Sequence, residues 1–223
     1  MDAAVYLYDK TLVCLNCDAR FKTKKVRTSR VVITKKDADF CTYYEGENPY
    51  FYEVGVCPRC GCAFTENFIL PTPDKKEVLR KEYVMKVQPV DLCGPRNIED
   101  ALRCYKLCLL CANFLHQPKS IIAGILLRIA WLYRYLGNKE EEERYLVRSV
   151  SLFEEVYSYE DPDKVPIEKH RLIYLIGELH GRLGRYLEAR KWFNLLFSEK
   201  GLEPALNRLA REQWENYRSA LTS

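Results

Sequence analysis

The chain has 223 residues, 48% of them apolar and 30% charged, with 35 Lys and Arg against 31 Asp and Glu for a formal net charge of +4. That apolar content excludes a disordered chain, and the length allows one large domain or two small ones. So small a charge excess neither demands nor excludes a nucleic-acid partner.

Residues 1–8 read MDAAVYLY and then turn polar, unlike a secretory signal. No stretch approaches the ~20 apolar residues of a membrane span. The protein is expected to be soluble and cytoplasmic, with no membrane partner. Thiols stay reduced there, so its ten cysteines point to a metal or a core and not to disulfides.

In chain order, residues 31–33 and 50–56 read as strands. In the second, Tyr50, Tyr52, Val54 and Val56 would share a face, after a turn at Asn48-Pro49. Beyond Pro71 and Pro73 the periodicity becomes helical. The spacing predicts helices over 74–85, 97–115, 120–136, 139–157, 166–183, 186–198 and 204–221. A linker with Pro89, Gly94 and Pro95 separates the first two, and Gly137-Asn138 caps the third. The fold class is therefore α+β: a small β-rich module over 1–70, then an all-α region over 71–223.

The helices carry a weak repeat. Ile176-Gly177, Gly184, Tyr186, Ala189 and Phe193 resemble the tetratricopeptide pattern, in which small residues let paired helices touch. Leu136-Gly137 marks a poorer copy, with Ala130 matching Gly177 but Glu142 matching Ala189. An ordinary helical bundle is the alternative.

Cys14-Leu15-Asn16-Cys17 and Cys57-Pro58-Arg59-Cys60 are two Cys-x-x-Cys pairs. Two intervening residues let a tight turn aim both thiolates at one ion, and four thiolates make a closed tetrahedral zinc site. A module this small commonly uses a metal in place of a large core. One structural zinc per chain is expected at Cys14, Cys17, Cys57 and Cys60, with Phe21 and Phe64 covering the knuckles. A closed site lacks the open position of catalytic zinc, no His-Glu-x-x-His is present, and the thioredoxin-like setting of a redox pair is missing. Cys41 and Cys62 are spare thiols or alternative ligands. Cys104, Cys108 and Cys111 share one helix face and read as core, or with Cys93 as a second site.

Arg20, Lys22, Lys24, Lys25, Arg27, Arg30, Lys35 and Lys36 form a stretch without one acid, which a phosphate backbone could use. The other reading is a solvated strand face. Asp37 and Asp39, read as neighbours on a strand, suit capping or ion pairing better than acid–base chemistry. Tyr43, Tyr44, Tyr50 and Tyr52 are core or a recognition surface. His170 and His180, ten apart on one helix, are packed or solvated more readily than paired. Trp131, Trp192 and Trp214 are packing anchors.

At these residues the sequence resembles the bacterial family called domain of unknown function 2225. The likeness lies in Tyr8-Asp9-Lys10, Phe21-x-Thr-Lys-Lys-Val-Arg-x-Ser, Asp37-x-Asp39-Phe40, Asn48-Pro49, Tyr52-x-Val54-x-Val56-Cys57-Pro58-x-Cys60-Gly61 and Ala63. It covers residues 6–70, and the helical remainder is also family-like. Cys62 departs from the pattern, where an aromatic is expected. The resemblance implies a Gram-positive, cytosolic protein with a zinc ribbon and a repeat-like tail, and no activity.

The expected function is a zinc-stabilised adaptor, not an enzyme, that binds a protein or peptide in the groove of its helical array. The alternatives are a nucleic-acid-binding regulator using Arg20, Lys22, Lys24, Lys25, Arg27 and Arg30, and a small-molecule sensor or enzyme with a site between the two parts.

Overall fold

The computed structural model describes residues 5–222. The reading of residues 1–8 as a non-signal segment lies outside the described residues at positions 1–4.

Three antiparallel hairpins come first. β1 (Leu7–Val13) pairs with β2 (Arg20–Val26), β3 (Val32–Lys36) with β4 (Thr42–Glu45), and β5 (Gly55–Val56) with β6 (Ala63–Phe64). The first runs from Leu7 opposite Val26 to Val13 opposite Arg20. On β2 the residues Phe21, Thr23 and Val26 turn inward, whereas β3 buries nothing. Isolated two-stranded hairpins are marginal in water, so these need other support.

Residues 50–56 do not form the single strand their alternation suggests. Pro49–Tyr52 is a 3-10 turn, capped by the Asn48 carboxamide, which accepts from the Tyr50 N–H at 3.0 Å. Pro49 fixes φ and has no N–H for a ladder, so the chain curls before it extends at Gly55–Val56. Tyr50, Tyr52, Val54 and Val56 are all buried nonetheless. The alternation recorded which side chains go inside, not the backbone path. The strand read at 31–33 is β3, one residue later and longer; β1, β2 and β4 carry too many Lys, Thr and Tyr to stand out as apolar runs, and β6 is only two residues long.

Seven helices follow: α1 (Pro73–Glu82), α2 (Ile98–Phe114), α3 (Lys119–Tyr135), α4 (Lys139–Tyr159), α5 (Lys169–Arg182), α6 (Tyr186–Ser198) and α7 (Pro204–Thr222). α2 starts with a capping box between Asn97 and Asp100. α5 stops where Gly184 takes φ +70°, a conformation that costs other residues more. α3 packs on α4 and α5 on α6. Gly177 makes the second contact close, since a Cβ there would stand 3.3 Å from Trp192 Cβ; Ala189 and Phe193 are fully buried beside it. In the first pair Ala130 is buried likewise, but Glu142 points instead to Arg134, at 2.7 Å.

One hydrophobic cluster runs from Phe21, Val54, Val56 and Phe64 through α2, α3 and α4 to Leu175 and Leu179 on α5. A second joins α5, α6 and α7 through Ile173, Phe193, Leu196 and Leu206. The change of secondary structure near residue 71 is therefore not a gap in packing. Two segments stitch across it. In the linker, Cys93 O accepts from the Lys24 N–H at 3.0 Å. The buried Arg96 guanidinium donates to the carbonyls of Leu92, Phe51 and Val54 at 2.8, 3.0 and 2.8 Å. The loop between β3 and β4 reaches the face shared by α3 and α5: Phe40 packs on Tyr174, and the Tyr174 hydroxyl donates to Ala38 O at 3.0 Å.

Candidate metal centre

Two hairpin turns build the cluster. In the β1–β2 turn the Cys14 N–H donates to Ala19 O at 3.0 Å and the Asp18 N–H to Cys14 O at 3.1 Å; in the β5–β6 turn Cys57 donates to Cys62 O at 2.9 Å and Gly61 to Cys57 O at 2.8 Å. The two turns are copies of one design. Each needs a positive φ just after its second cysteine, met by Asp18 at 57° and Gly61 at 73°. Glycine and aspartate tolerate that region better than most residues.

The copies face each other and bring all four sulfurs within 4.8 Å of one another. Cys14 Sγ lies 3.6 Å from Cys60 Sγ, and Cys17 Sγ 3.8 Å from Cys57 Sγ. A tetrahedron with metal–sulfur bonds of ~2.3 Å has sulfurs ~3.8 Å apart, so the spacing suits an ion at the centre. It is far too long for disulfides, and no disulfide forms among the described residues. The Asn16 backbone N–H approaches Cys14 Sγ at 3.4 Å and its side-chain amide approaches Cys60 Sγ at 3.7 Å. Such donors stabilise negative sulfur. The Cys60 and Cys62 thiols hold Cys14 down at about 5, and Cys60 is pushed up by the same bond with Cys14 and by burial. Burial also raises Cys57. Four thiolates this close repel one another, and the charge of a divalent cation is what lets them coexist. These four residues could hold a metal ion.

Around the cluster, Phe21 and Phe64 meet edge to face at 6.3 Å, and the Tyr83 hydroxyl donates to Gly61 O at 2.9 Å. Of the other cysteines, only Cys62 reaches the cluster, through its contact with Cys14. Cys62 is buried where β6 sits on α2; its thiol is pushed up, first by its hydrogen bond with Cys111, and Cys111 Sγ accepts the Ala63 N–H at 3.3 Å. Burial raises Cys41, Cys93 and Cys104 to about 11 and also pushes Cys108 well above its ordinary value. Cys104, Cys108 and Cys111 are wholly buried among apolar side chains. Among the described residues the four-cysteine cluster is the one group arranged to hold a metal.

The remaining candidates separate. His180 bonds Glu154 at 2.9 Å, while His170 sits beside Glu168 and Glu199, so the two histidines do not form one site. Of the basic stretch, Lys24 pairs with Asp9 and Lys25 with Glu66, and Arg27 lies over the Tyr8 ring; Arg20, Lys22 and Arg30 are exposed. Asp37 and Asp39 lie in the β3–β4 loop, not on a strand, because β3 ends at Lys36. They pair as expected with neighbouring cations, but chiefly with distant ones: Arg134 donates to Asp37 at 2.9 Å and Asp39 at 2.6 Å, and Trp131 Nε1 donates to Asp39 at 2.9 Å. Tyr50 and Tyr52 are buried and Tyr43 and Tyr44 half-buried.

Between the hairpins and the helices lies an open cleft of about 430 Å³, with walls from Lys36, Phe40 and Tyr50 on one side and from Ser120, Arg128 and Arg171 on the other. Sequence reasoning did not single out Asn16, Arg96, Ser120, Arg128, Arg134 or Arg171. Only Asn16, inside a Cys-x-x-Cys pair, stood where a signal could be read.

A family model described as an uncharacterized protein conserved in bacteria (DUF2225) matches residues 7–217, taking in the cysteine cluster, the cleft and nearly all of the helices. No curated protein and no solved structure matches the chain.

Proposed function

We propose, for a chain that belongs to the DUF2225 family over residues 7–217, a zinc-stabilised adaptor that binds a protein or peptide partner. The observation that carries this reading is the cleft: its walls come from both the cysteine-bearing hairpins and the helices. A metal-held ribbon would thus form half of the binding surface. Four sulfurs at tetrahedral spacing favour zinc, at one ion per chain. The paired helices α3–α4 and α5–α6, the second pair with Gly177 and Ala189 at its contact, support a tetratricopeptide-like array. The groove of such an array is the usual docking face, and here the β3–β4 loop occupies part of it. No helix among the described residues is long and apolar enough to cross a membrane. The nucleic-acid reading ranks second, because Lys24 and Lys25 already have acidic partners.

A photo-crosslinking residue at the exposed Asn67, on the cleft wall, tests the reading in cells. It should capture a defined partner that the same residue at Lys191, on α6, does not, and Cys57→Ser should abolish capture. Equal capture from both positions, or none from Asn67, overturns it.

A further inference from the structure

The cleft holds a charge imbalance that its own residues do not resolve. Two carboxylates line it, and both are engaged. Glu53 Oε2 accepts from the Tyr105 hydroxyl at 2.7 Å and from Arg128 Nε at 3.0 Å. Asp39 accepts from Trp131 and Arg134, and Arg182 stands 3.5 Å away. Three cations line it. Arg128 is committed to Glu53 and lies over the Tyr50 and Trp131 rings at 4.6 and 4.3 Å. Lys36 Nζ sits over the Phe40 ring at 5.1 Å. The Arg171 N–H donates to the Glu168 carboxylate at 3.1 Å, but no ion pair among the described residues engages the Arg171 guanidinium or the Lys36 ammonium; the nearby Asp37 is paired with Lys35 and Arg134 instead. Two positive charges are left over.

The wall between them is prepared as well. Ser120 is 4% exposed, and its hydroxyl has no hydrogen-bond partner among the described residues; buried polar groups are rarely left so. The backbone end of α3 is already used, since Ser120 N–H donates to Glu160 at 3.2 Å and Ile121 N–H to Pro118 O at 3.1 Å. Ser120, Gly124 and Arg128 recur every four residues and so share one helix face. A Cβ on Gly124 would meet nothing within 4 Å, so that face opens onto free space. Ile121, Ile125, Phe153, Ile167 and Leu175 supply an apolar lining.

We propose that this cleft binds an anion carried on an apolar body: an acidic side chain or terminal carboxylate of a peptide partner flanked by large apolar side chains, its charge between Lys36 and Arg171 and the Ser120 hydroxyl on its wall. This deepens the adaptor reading and rests on it. Charge-assisted hydrogen bonds from Arg and Lys are the stronger kind, and charges at a rim select partners and speed encounter.

Calorimetric titration of the full, metal-loaded chain tests it with four probes: a short blocked peptide alternating Phe and Glu, its Phe and Lys counterpart, 4-phenylbutyrate, and 4-phenylbutylamine. The acidic peptide should bind at least ~10-fold more tightly than the basic one. Arg171→Glu, at an exposed position, should weaken it ~10-fold, and Gly124→Leu, which fills the cleft from open space, should abolish it with thermal unfolding unchanged. Binding of 4-phenylbutyrate without the acidic peptide overturns the acidic-peptide occupant proposed here. Failure of both anions, equal binding of anion and cation, or wild-type affinity in both variants overturns the inference, while crosslinking from Asn67 still judges the adaptor reading separately.

Discussion

Helix α5 alone buries Leu172, Ile173, Leu175, Ile176 and Leu179, whereas β3 buries no side chain and β5 and β6 are two residues each. The helical region is stabilised by removing apolar surface from water, at ~25 cal/mol per Å². The hairpins have too little such surface. They rest on three other supports: the cysteine cluster, the Arg96 guanidinium bridging three carbonyls, and the Asp37–Asp39 loop docked on Arg134. The difference teaches where each region should fail. Helices should lose stability gradually with lost volume, and hairpins abruptly with lost charge or metal.

The sharpest way to break that contrast is Cys57→Ser. Metal binding at structural zinc sites is worth about 10–16 kcal/mol and is folding energy, so the variant should lose bound metal and the hairpins their protease resistance, while the helical circular dichroism largely persists. Unchanged metal content and unchanged proteolysis would remove the metal from the account. Next in size is Arg134→Met, which leaves the fully buried Asp39 with Arg182, Trp131 and the Cys41 N–H. Breaking a buried pair on one side costs about 3–5 kcal/mol, read from urea midpoints, and adding Asp39→Asn should restore part of it. If the double variant is no better than the single, the cost comes from lost packing and not from uncompensated charge.

How much of this was legible follows the same division. Six of the helices, α2 to α7, stand where apolar spacing puts them, within about three residues at each end, because burial on one face writes a 3.6-residue period into the chain; α1, which buries only Leu79, was marked instead by its Lys and Glu after Pro73. The four clustered cysteines were legible because ligand spacing is local. Tyr50 to Val56 misled because alternating burial can be met by a 3-10 turn followed by a short strand. The partners of Asp39 could not be read at all. They lie 92 to 95 residues away, and nothing in a local window marks Arg134 rather than another arginine. The cleft was invisible for the same reason, since it exists only where residues of β3, α3 and α5 meet.

A smaller effect sharpens the contrast through pH. Glu178 is buried, and although Arg182 and the Tyr217 hydroxyl oppose it, burial pushes its carboxyl up to about 7 from the usual 4.5. The folded state then holds a proton that the unfolded state gives up, so this contribution is greatest below pH 4.5 and is lost as pH rises through 7. Asp37 runs the other way. Burial works against it, but Lys35, Tyr43 and Arg134 outweigh burial and hold it below its ordinary value, so its contribution is lost as pH falls. Glu178→Gln should flatten the decline in urea midpoint between pH 5 and pH 8, and coincident profiles for variant and wild type would refute the assignment. Smallest is Cys108→Ala. It removes one buried sulfur from the helical core, should cost about 1 kcal/mol, and should leave metal content as in the wild type; loss of metal would tie that helix face to the centre.

The separation between Asp39 and Arg134 has a consequence in time. Chains emerge from the ribosome N-terminus first, at about 5–20 residues per second, so the 95 residues between this pair take roughly 5 to 20 s to appear. Cys60 is made long before Arg134, and Tyr174, which holds Ala38, comes 136 residues after its partner. A growing chain therefore has all four sulfurs in hand while the surface that receives the β3–β4 loop is still being synthesised. That loop carries Asp37 and Asp39, which water solvates well, beside the single apolar ring of Phe40 that later packs on Tyr174. Gathering of the four sulfurs and loop docking become successive events in the life of each molecule, the first available to a nascent chain and the second only to one nearly complete.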